Sequence, residues 1–218
     1  MRKMVFVMLL VVIAPVCFSK SNNEKDGENS VQNSRLISNG FDLSDLTFKE
    51  SIQSIYKVAG VDATLSEEKT LFGYERVESF SSELLNYDNL ILSGEFEGMK
   101  NKVIFHFSEK GEILALYELR VYSQPQNSHF FRTIQRKVGP PLVTRLSTDD
   151  ESGISFKQAV WVKGDIIYFL LQELGNAGVK ASNLAVFENN NKDFYKLLGQ
   201  KGYAIDPSSL IEEALRQR

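Results

Sequence analysis

Two alternating runs joined by a short turn constrain the fold more than any other feature of this 218-residue sequence. The runs are KVIFHFS and GEILALYELRVYS, and the SEKG between them, residues 108–111, has the composition of a tight hairpin turn. Successive side chains of a strand point to opposite faces, so each run places an apolar row on one side. These rows are Val103, Phe105 and Phe107, then Ile113, Ala115, Tyr117, Leu119 and Val121. Residues 71–123 are therefore predicted to form an antiparallel meander with one buried face.

A helix is predicted on each side of this meander. In LTFKESIQSIYKVAG, Thr47 and Glu50 match the Thr-x-x-Glu capping box, and Gly60 suits the left-handed residue that ends a helix. In NSHFFRTIQRKVG, Asn127 or Ser128 can cap the start. Gly139 ends that second helix, and the two prolines after it prevent its continuation.

Strands are predicted after the second helix as well, in LVTRLS, FKQAVWVKG, DIIYFLLQEL and NLAVFEN. A hairpin turn at VKGD relies on Gly164, which tolerates positive φ. Two short helices, NKDFYKLLGQKG and DPSSLIEEALRQR, close the chain. The predicted fold is α+β: an antiparallel sheet with helices packed on one face, built from two similar helix-then-strands halves. The halves span residues 41–124 and 125–190, and the C-terminal helices lie in residues 191–218.

The N-terminus predicts export. Arg2 and Lys3 precede the apolar run MVFVMLLVVIA, and Cys17 and Ser19 occupy the −3 and −1 positions for cleavage after Ser19. Residues 1–19 are therefore predicted to be a signal peptide, and the polar residues 20–40 a flexible tether. The predicted location is the periplasm, or the outer membrane if Cys17 carries a lipid anchor.

Composition argues against several classes of function. Cys17 is the only cysteine, so the folded part has no disulfide framework, no thiol nucleophile and no cysteine metal site. The formal charge of −3 becomes more negative by two when Arg2 and Lys3 leave with the signal peptide. An acidic chain with no basic block is an improbable partner for nucleic acid.

Candidate catalytic and metal-binding groups are few. His106 and His129 are the only histidines and have no ligand spacing, so no metal and no cofactor is predicted. Glu95 and Glu97 alternate along a predicted strand, with Glu78 as a third candidate, and such carboxylates could hydrolyse a glycoside. A solvated strand face explains the pair better, and the chain is predicted not to be an enzyme.

A helix ending in VGPP, then a polar loop and a strand with Trp161, resembles the SmpA/BamE-type envelope lipoproteins. The tandem organisation is similar to that of the β-lactamase inhibitor protein, which has two helix-plus-sheet halves. The resemblance covers residues 134–169, with a fainter echo in residues 52–80. It implies an envelope protein that binds other proteins and has no active site.

The predicted function is therefore a non-catalytic, exported protein-binding module of the bacterial envelope, with another envelope protein as partner. Candidate contacts are Trp161, if it is exposed rather than buried, and the acidic loop residues Asp149, Asp150 and Glu151. Membrane contact is predicted only through lipid on Cys17. The alternatives are a periplasmic inhibitor or immunity protein that blocks an enzyme or toxin, and a small hydrolase using paired carboxylates.

Overall fold

A computed structural model describes residues 41–62, 67–71, 74–108, 113–150, 152–189 and 207–218, with the backbone alone for 67–71. The predicted signal peptide, the tether and Cys17 lie outside these residues. The same holds for residues 109–111 of the predicted SEKG turn, for Glu151, and for the helix predicted in NKDFYKLLGQKG.

The centre of the fold is an antiparallel sheet of eight strands in the order β1-β2-β7-β8-β12-β11-β10-β9. Strands β3 and β4, and strands β5 and β6, form two small hairpins between β2 and β7. The strands are β1 Glu67–Leu71, β2 Tyr74–Ser79, β3 Asn86–Tyr87, β4 Leu90–Ile91, β5 Glu95–Phe96, β6 Met99–Lys100, β7 Lys102–Phe107, β8 Leu114–Val121, β9 Val143–Thr148, β10 Ser155–Lys163, β11 Ile166–Gly175 and β12 Gly178–Glu188.

The order of the strands shows two halves of the same construction. Helix α1 (Ile52–Ala59) precedes the meander β1-β2-β7-β8, and helix α2 (Gln124–Val138) precedes the meander β9-β10-β11-β12. The last strand of each half pairs with the other, β8 with β12, so the halves meet at the middle of one continuous sheet. The predicted α+β fold with an antiparallel sheet is confirmed.

Helix α1 begins five residues later than Thr47. Ser51 is the N-cap and accepts a hydrogen bond from the N–H of Ser54 at 3.2 Å, while Gly60 ends the helix at φ 65° as predicted. The Glu50 carboxylate accepts the Thr47 N–H at 2.9 Å, but Phe48 has φ 64° and interrupts a helix there. The Phe48 ring is buried instead, stacked 6.0 Å from Tyr117. Packing of Phe48 thus displaces the helix start that the capping box predicted.

Helix α2 begins before its predicted caps. Its N-cap is Ser123, and Pro125 lies in the first turn, where a missing N–H costs little. Asn127 caps nothing; its side chain is buried and donates to the Lys180 carbonyl at 3.1 Å. Phe130 and Ile134 form the buried stripe of the helix.

The third helix, α3 (Pro207–Arg216), lies on the other side of the sheet. Helices α1 and α2 contribute to one hydrophobic core, whereas Leu210, Ile211 and Ala214 of α3 belong to a second core with side chains of β8 to β12. The expectation that all helices share one face is thus wrong for α3. Both faces of the sheet are partly apolar, so each face requires a cover.

Alternation breaks between β7 and β8. The register shifts between His106 and Phe107, so Leu114 pairs with Phe107 and points into the first core. Ile113, which strict alternation placed beside Tyr117, is half exposed. Ala115 packs against the second core instead, and its predicted position is also wrong. A one-residue bulge exchanges the two faces of the sheet for every side chain that lies beyond the bulge along the strand.

The predicted turn at Gly164 is present: Lys163 pairs with Ile166, and Gly164 has φ 58°. Within the described ranges, each helix is too short or too polar to cross a bilayer.

Candidate functional site

Trp161 is part of the core. It is 1% exposed, its ring lies 5.6 Å from that of Phe131, and its indole N–H donates to the Gly139 carbonyl at 2.9 Å. The glycine that ends α2 and the tryptophan of β10 therefore bind each other, and this joins the helix to the sheet. Trp161 offers no exposed surface to a partner. Its predicted role as a surface contact is therefore wrong, and it packs in the core instead.

The acidic loop between β9 and β10 is a hairpin closed on itself. The Asp149 N–H donates to the Ile154 carbonyl at 2.9 Å, and the Asp149 carboxylate accepts the Ser152 N–H at 3.3 Å. Asp150 is exposed at the tip, and Glu151 lies outside the described residues. Across the described ranges there is no cluster of three or more His, Cys, Asp or Glu residues that could hold a metal ion.

Glu95 and Glu97 do not share a strand face. Glu95 belongs to the short strand β5, whereas Glu97, at φ 51°, lies with Gly98 in the two-residue turn that follows. Both side chains are exposed. Glu78 lies on β2, in a different sheet. The predicted carboxylate pair on one strand is wrong, because turn geometry rather than alternation sets the direction of Glu97.

His106 and Glu118 form a buried pair between β7 and β8. The distance from His106 Nε2 to a Glu118 carboxylate oxygen is 2.9 Å, and both side chains are 0% exposed. The Arg120 guanidinium lies 3.6 Å from the other oxygen of Glu118. His129 is exposed on α2, so the two histidines lie on different elements.

A second charged group adjoins this pair on the same face of the sheet. Glu78 of β2 binds Arg76 at 2.6 Å and also Lys102 of β7. Burial raises the pKa of Glu78, but the hydrogen bond and positive charge of Lys102, together with Arg76, outweigh it and lower the pKa below its usual value. Glu78 and Glu118 are therefore satisfied inside the sheet and are not presented to a substrate.

An open pocket, called the acidic pocket below, lies beside α1. It has a volume of about 260 Å³ and lies between the loop that precedes α1 and the helix itself. Its lining residues are Phe41, Asp42, Asp45, Leu46, Glu50, Ser54, Ile55 and Val58. Apolar side chains thus form most of the wall, carboxylates stand around it, and Val58 is 67% exposed.

Asp42 is held in place by backbone amides. Its carboxylate accepts the N–H of Ser44 at 2.8 Å, of Asp88 at 2.9 Å and of Asn89 at 3.0 Å. Asp88 and Asn89 are the two positive-φ residues of the β3–β4 turn, and this conformation points their N–H groups at Asp42. Burial raises the pKa of Asp42, but a hydrogen bond from the Ser44 side chain and those from the backbone N–H groups of Asn89, Asp88 and Ser44 outweigh it and lower the pKa below its usual value.

Glu50 is fixed in a similar way. It accepts the Thr47 N–H at 2.9 Å, the Thr47 hydroxyl at 2.8 Å and the Lys49 N–H at 3.1 Å. Among the described residues only the third carboxylate, Asp45, has a basic partner, Lys137 at 2.6 Å. Asp42 and Glu50 are thus oriented by neutral donors, and neither forms an ion pair within the described part of the chain, although the charge of Lys137 also acts on Asp42.

The sequence contained one signal for this pocket. Asp42 precedes the short 3-10 turn Leu43–Asp45 and caps it, which is the usual role of an aspartate at such a position. Its contacts with Asp88 and Asn89, in a hairpin far along the chain, carry no local pattern. The pocket therefore could not be predicted from the residues that line it.

No protein-family model matches the chain, and no match was found among curated proteins or among solved structures. The resemblance to SmpA/BamE-type modules and to the β-lactamase inhibitor protein therefore stays a prediction.

Proposed function

We propose that this chain is a non-catalytic, exported protein-binding module of the bacterial envelope, and that the acidic pocket receives a basic side chain of its partner. The observation that carries the proposal is the pair Asp42 and Glu50. Both residues line an open, largely apolar pocket, their carboxylates are held by backbone N–H groups, and neither forms an ion pair among the described residues. An arginine or lysine with an adjacent apolar residue supplies the charge and the surface that the pocket lacks.

The dimensions favour a side chain over a free metabolite. Drug-sized ligands occupy pockets of about 300–1,000 Å³, and the acidic pocket, at about 260 Å³, is below that range. Exposed charge pairs contribute only about 0.2–1 kcal/mol each, so the apolar wall with Ile55 and Val58 must supply much of the affinity. A long basic side chain can supply both the apolar and the electrostatic contribution, because its methylene groups lie on apolar surface while its charge stays at the rim.

A binding role also agrees with the placement of the other acids. Glu95 and Glu97 are exposed beside a hairpin turn, and Glu78 is occupied by two cations. A hydrolase needs two carboxylates that face one substrate, and Glu78, Glu95 and Glu97, the acids predicted for that role, do not supply such an arrangement. Purified protein that hydrolyses a cell-wall glycan, and loses this activity in Glu95→Gln, would favour the hydrolase instead.

The test uses an immobilised library of short peptides in which one Arg or Lys is flanked by Leu, Ile or Phe. We expect binding to these peptides, at least about tenfold weaker binding when the basic residue is replaced by Glu, and weaker binding at high salt. Val58→Lys should abolish it, because the new ammonium group occupies the acidic pocket. Ile91→Lys is the matched control, since Ile91 is 54% exposed on β4 and the charge change is the same.

Two results would contradict the pocket: equal binding of basic and acidic peptides, or equal loss in Val58→Lys and Ile91→Lys. The proposed location has its own measurement. Mass spectrometry of the mature N-terminus distinguishes cleavage after Ser19 from lipid on Cys17, and an intact Met1 would exclude both.

A further inference from the structure

The edge strand β9 carries the second proposal, which is independent of the acidic pocket. Among the described strands β9 has one neighbour, β10, so no described residue pairs with the other edge of β9. Leu146 in its middle is 70% exposed. We propose that this edge pairs with the β9 strand of a second copy of the chain, antiparallel and in one register, so that two sheets become continuous.

The backbone of β9 shows which groups are available. Asp149 and Ile154 close the β9–β10 hairpin as a hydrogen-bonded pair, with 2.9 Å from the Asp149 nitrogen to the Ile154 oxygen. Bonded and non-bonded pairs alternate along an antiparallel ladder. The N–H and C=O groups of Thr144, Leu146 and Thr148 therefore point away from β10, and none has a hydrogen-bond partner in the described part of the chain.

These three residues are symmetric about Leu146. A two-fold axis perpendicular to the sheet at Leu146 places Leu146 opposite its own copy and Thr144 opposite Thr148 of the second copy. Each outward N–H then meets an outward C=O, which gives about six inter-strand hydrogen bonds. Leu–Leu and Thr–Thr are favourable cross-strand pairs, and the exposed Leu146 side chain becomes covered.

Charge permits the same register. Arg145, the one charged residue of β9, lies opposite Ser147 of the second copy, and its guanidinium is held by Glu213 of α3 at 2.9 Å.

Cysteine cross-linking tests the register. In a Cys17→Ser background, Leu146→Cys should form a disulfide-linked dimer, because directly opposite residues in a bonded pair have Cα atoms about 5.5 Å apart, within disulfide reach. Thr144→Cys should not, since its opposite residue is Thr148. Ile91→Cys, similarly exposed but on β4, controls for random collision. Cross-linking of Thr144→Cys or Ile91→Cys as fast as that of Leu146→Cys would overturn the register.

Analytical ultracentrifugation tests the association itself. The interface is small, so we expect a concentration-dependent monomer–dimer equilibrium rather than a permanent dimer. Leu146→Lys sets two ammonium groups opposite each other and should weaken the dimer at least about tenfold, while Ile91→Lys should leave it unchanged. Unfolding curves confirm that both variants fold. A chain that sediments as a monomer at every concentration, or equal weakening by both variants, would refute the proposal.

Discussion

The two halves of the sheet share one face and differ on the other. On the shared face a single cross-strand row runs through both halves and joins the first core: Val77, Phe105, Tyr117, Val186, Tyr168 and Trp161. On the opposite face the first half carries a charged set: Arg76, Glu78, Lys102, His106, Glu118 and Arg120. The second half carries an apolar set there: Val143, Val160, Ile167, Phe169, Ala185 and Phe187.

The face that the two halves share, rather than the face on which they differ, fixes the fold. One strand order, repeated twice, is compatible with an apolar cover by α3 on one half and with ion pairs on the other. What the halves have in common is the continuous core under α1 and α2. The opposite face was therefore free to acquire different chemistry in each half.

The largest effect should come from the apolar half. Phe169 is 2% exposed and belongs to the second core, so Phe169→Ala should lower the free energy of unfolding by about 3–5 kcal/mol. Equilibrium urea unfolding measures this change. Ile91→Ala, at a position on β4 that is 54% exposed, should change stability by less than about 0.5 kcal/mol. A loss near zero for Phe169→Ala would mean that the second core does not contribute.

The charged half should be somewhat less sensitive. Glu118→Gln keeps the shape of the side chain but removes the charge beside His106 and Arg120, which should cost about 2–3 kcal/mol. A double-mutant cycle with His106→Gln should be non-additive, because the two residues are in contact. His129→Gln, exposed on α2, is the control and should be nearly neutral. Additive losses would show that the pair contributes no coupling energy.

Helix ends and tight turns could be predicted from the sequence, whereas the register in which strands pair could not. Local chemistry sufficed for Gly60, Gly139 and Gly164, because a helix end or a tight turn requires little beyond its own residues. Contacts between residues far apart in the chain could not be predicted from the sequence. The bulge at His106 depends on how β7 and β8 pair, and it decides that Leu114 rather than Ile113 is buried.

The candidate site was less predictable than the fold. Asp42 could be read as a local cap, but its role in the acidic pocket arises from a turn that is adjacent only after folding. The loop at Asp149 and Asp150, by contrast, had an obvious acidic pattern and forms a self-contained hairpin. A pattern of charge predicts exposure well, and it predicts recognition only when the surroundings are known.

The stability that Glu78 contributes to the charged half should depend on pH. Its pKa is lowered in the folded chain, so its contribution to stability is present above the pKa of the unfolded carboxyl and is lost as pH falls through the folded value. Glu78→Gln should therefore cost about 1–2 kcal/mol at neutral pH and progressively less below about pH 4. Urea unfolding across this pH range measures the change. A cost that does not vary with pH would assign it to lost packing.

The smallest effect should come from the exposed ion pair that links the halves. Lys137, in the last turn of α2, binds Asp45 of the loop before α1 at 2.6 Å, and the Asp45 side chain is 70% exposed. The hydrogen bond that Lys137 donates to Asp45 raises the pKa of Lys137, so the contribution of Lys137 to stability is full at neutral pH and is lost as pH rises through that value.

Exposed pairs of this kind contribute about 0.2–1 kcal/mol and are screened by salt. Lys137→Gln should accordingly lower stability by less than about 1 kcal/mol at low salt, and by nearly nothing at high salt. Lys57→Gln, which removes the same charge from the last turn of α1 at an exposed lysine without an acidic partner among the described residues, is the matched control. If Lys137→Gln instead cost as much as Glu118→Gln, contacts between loops, rather than the continuous core under α1 and α2, would hold the two halves together.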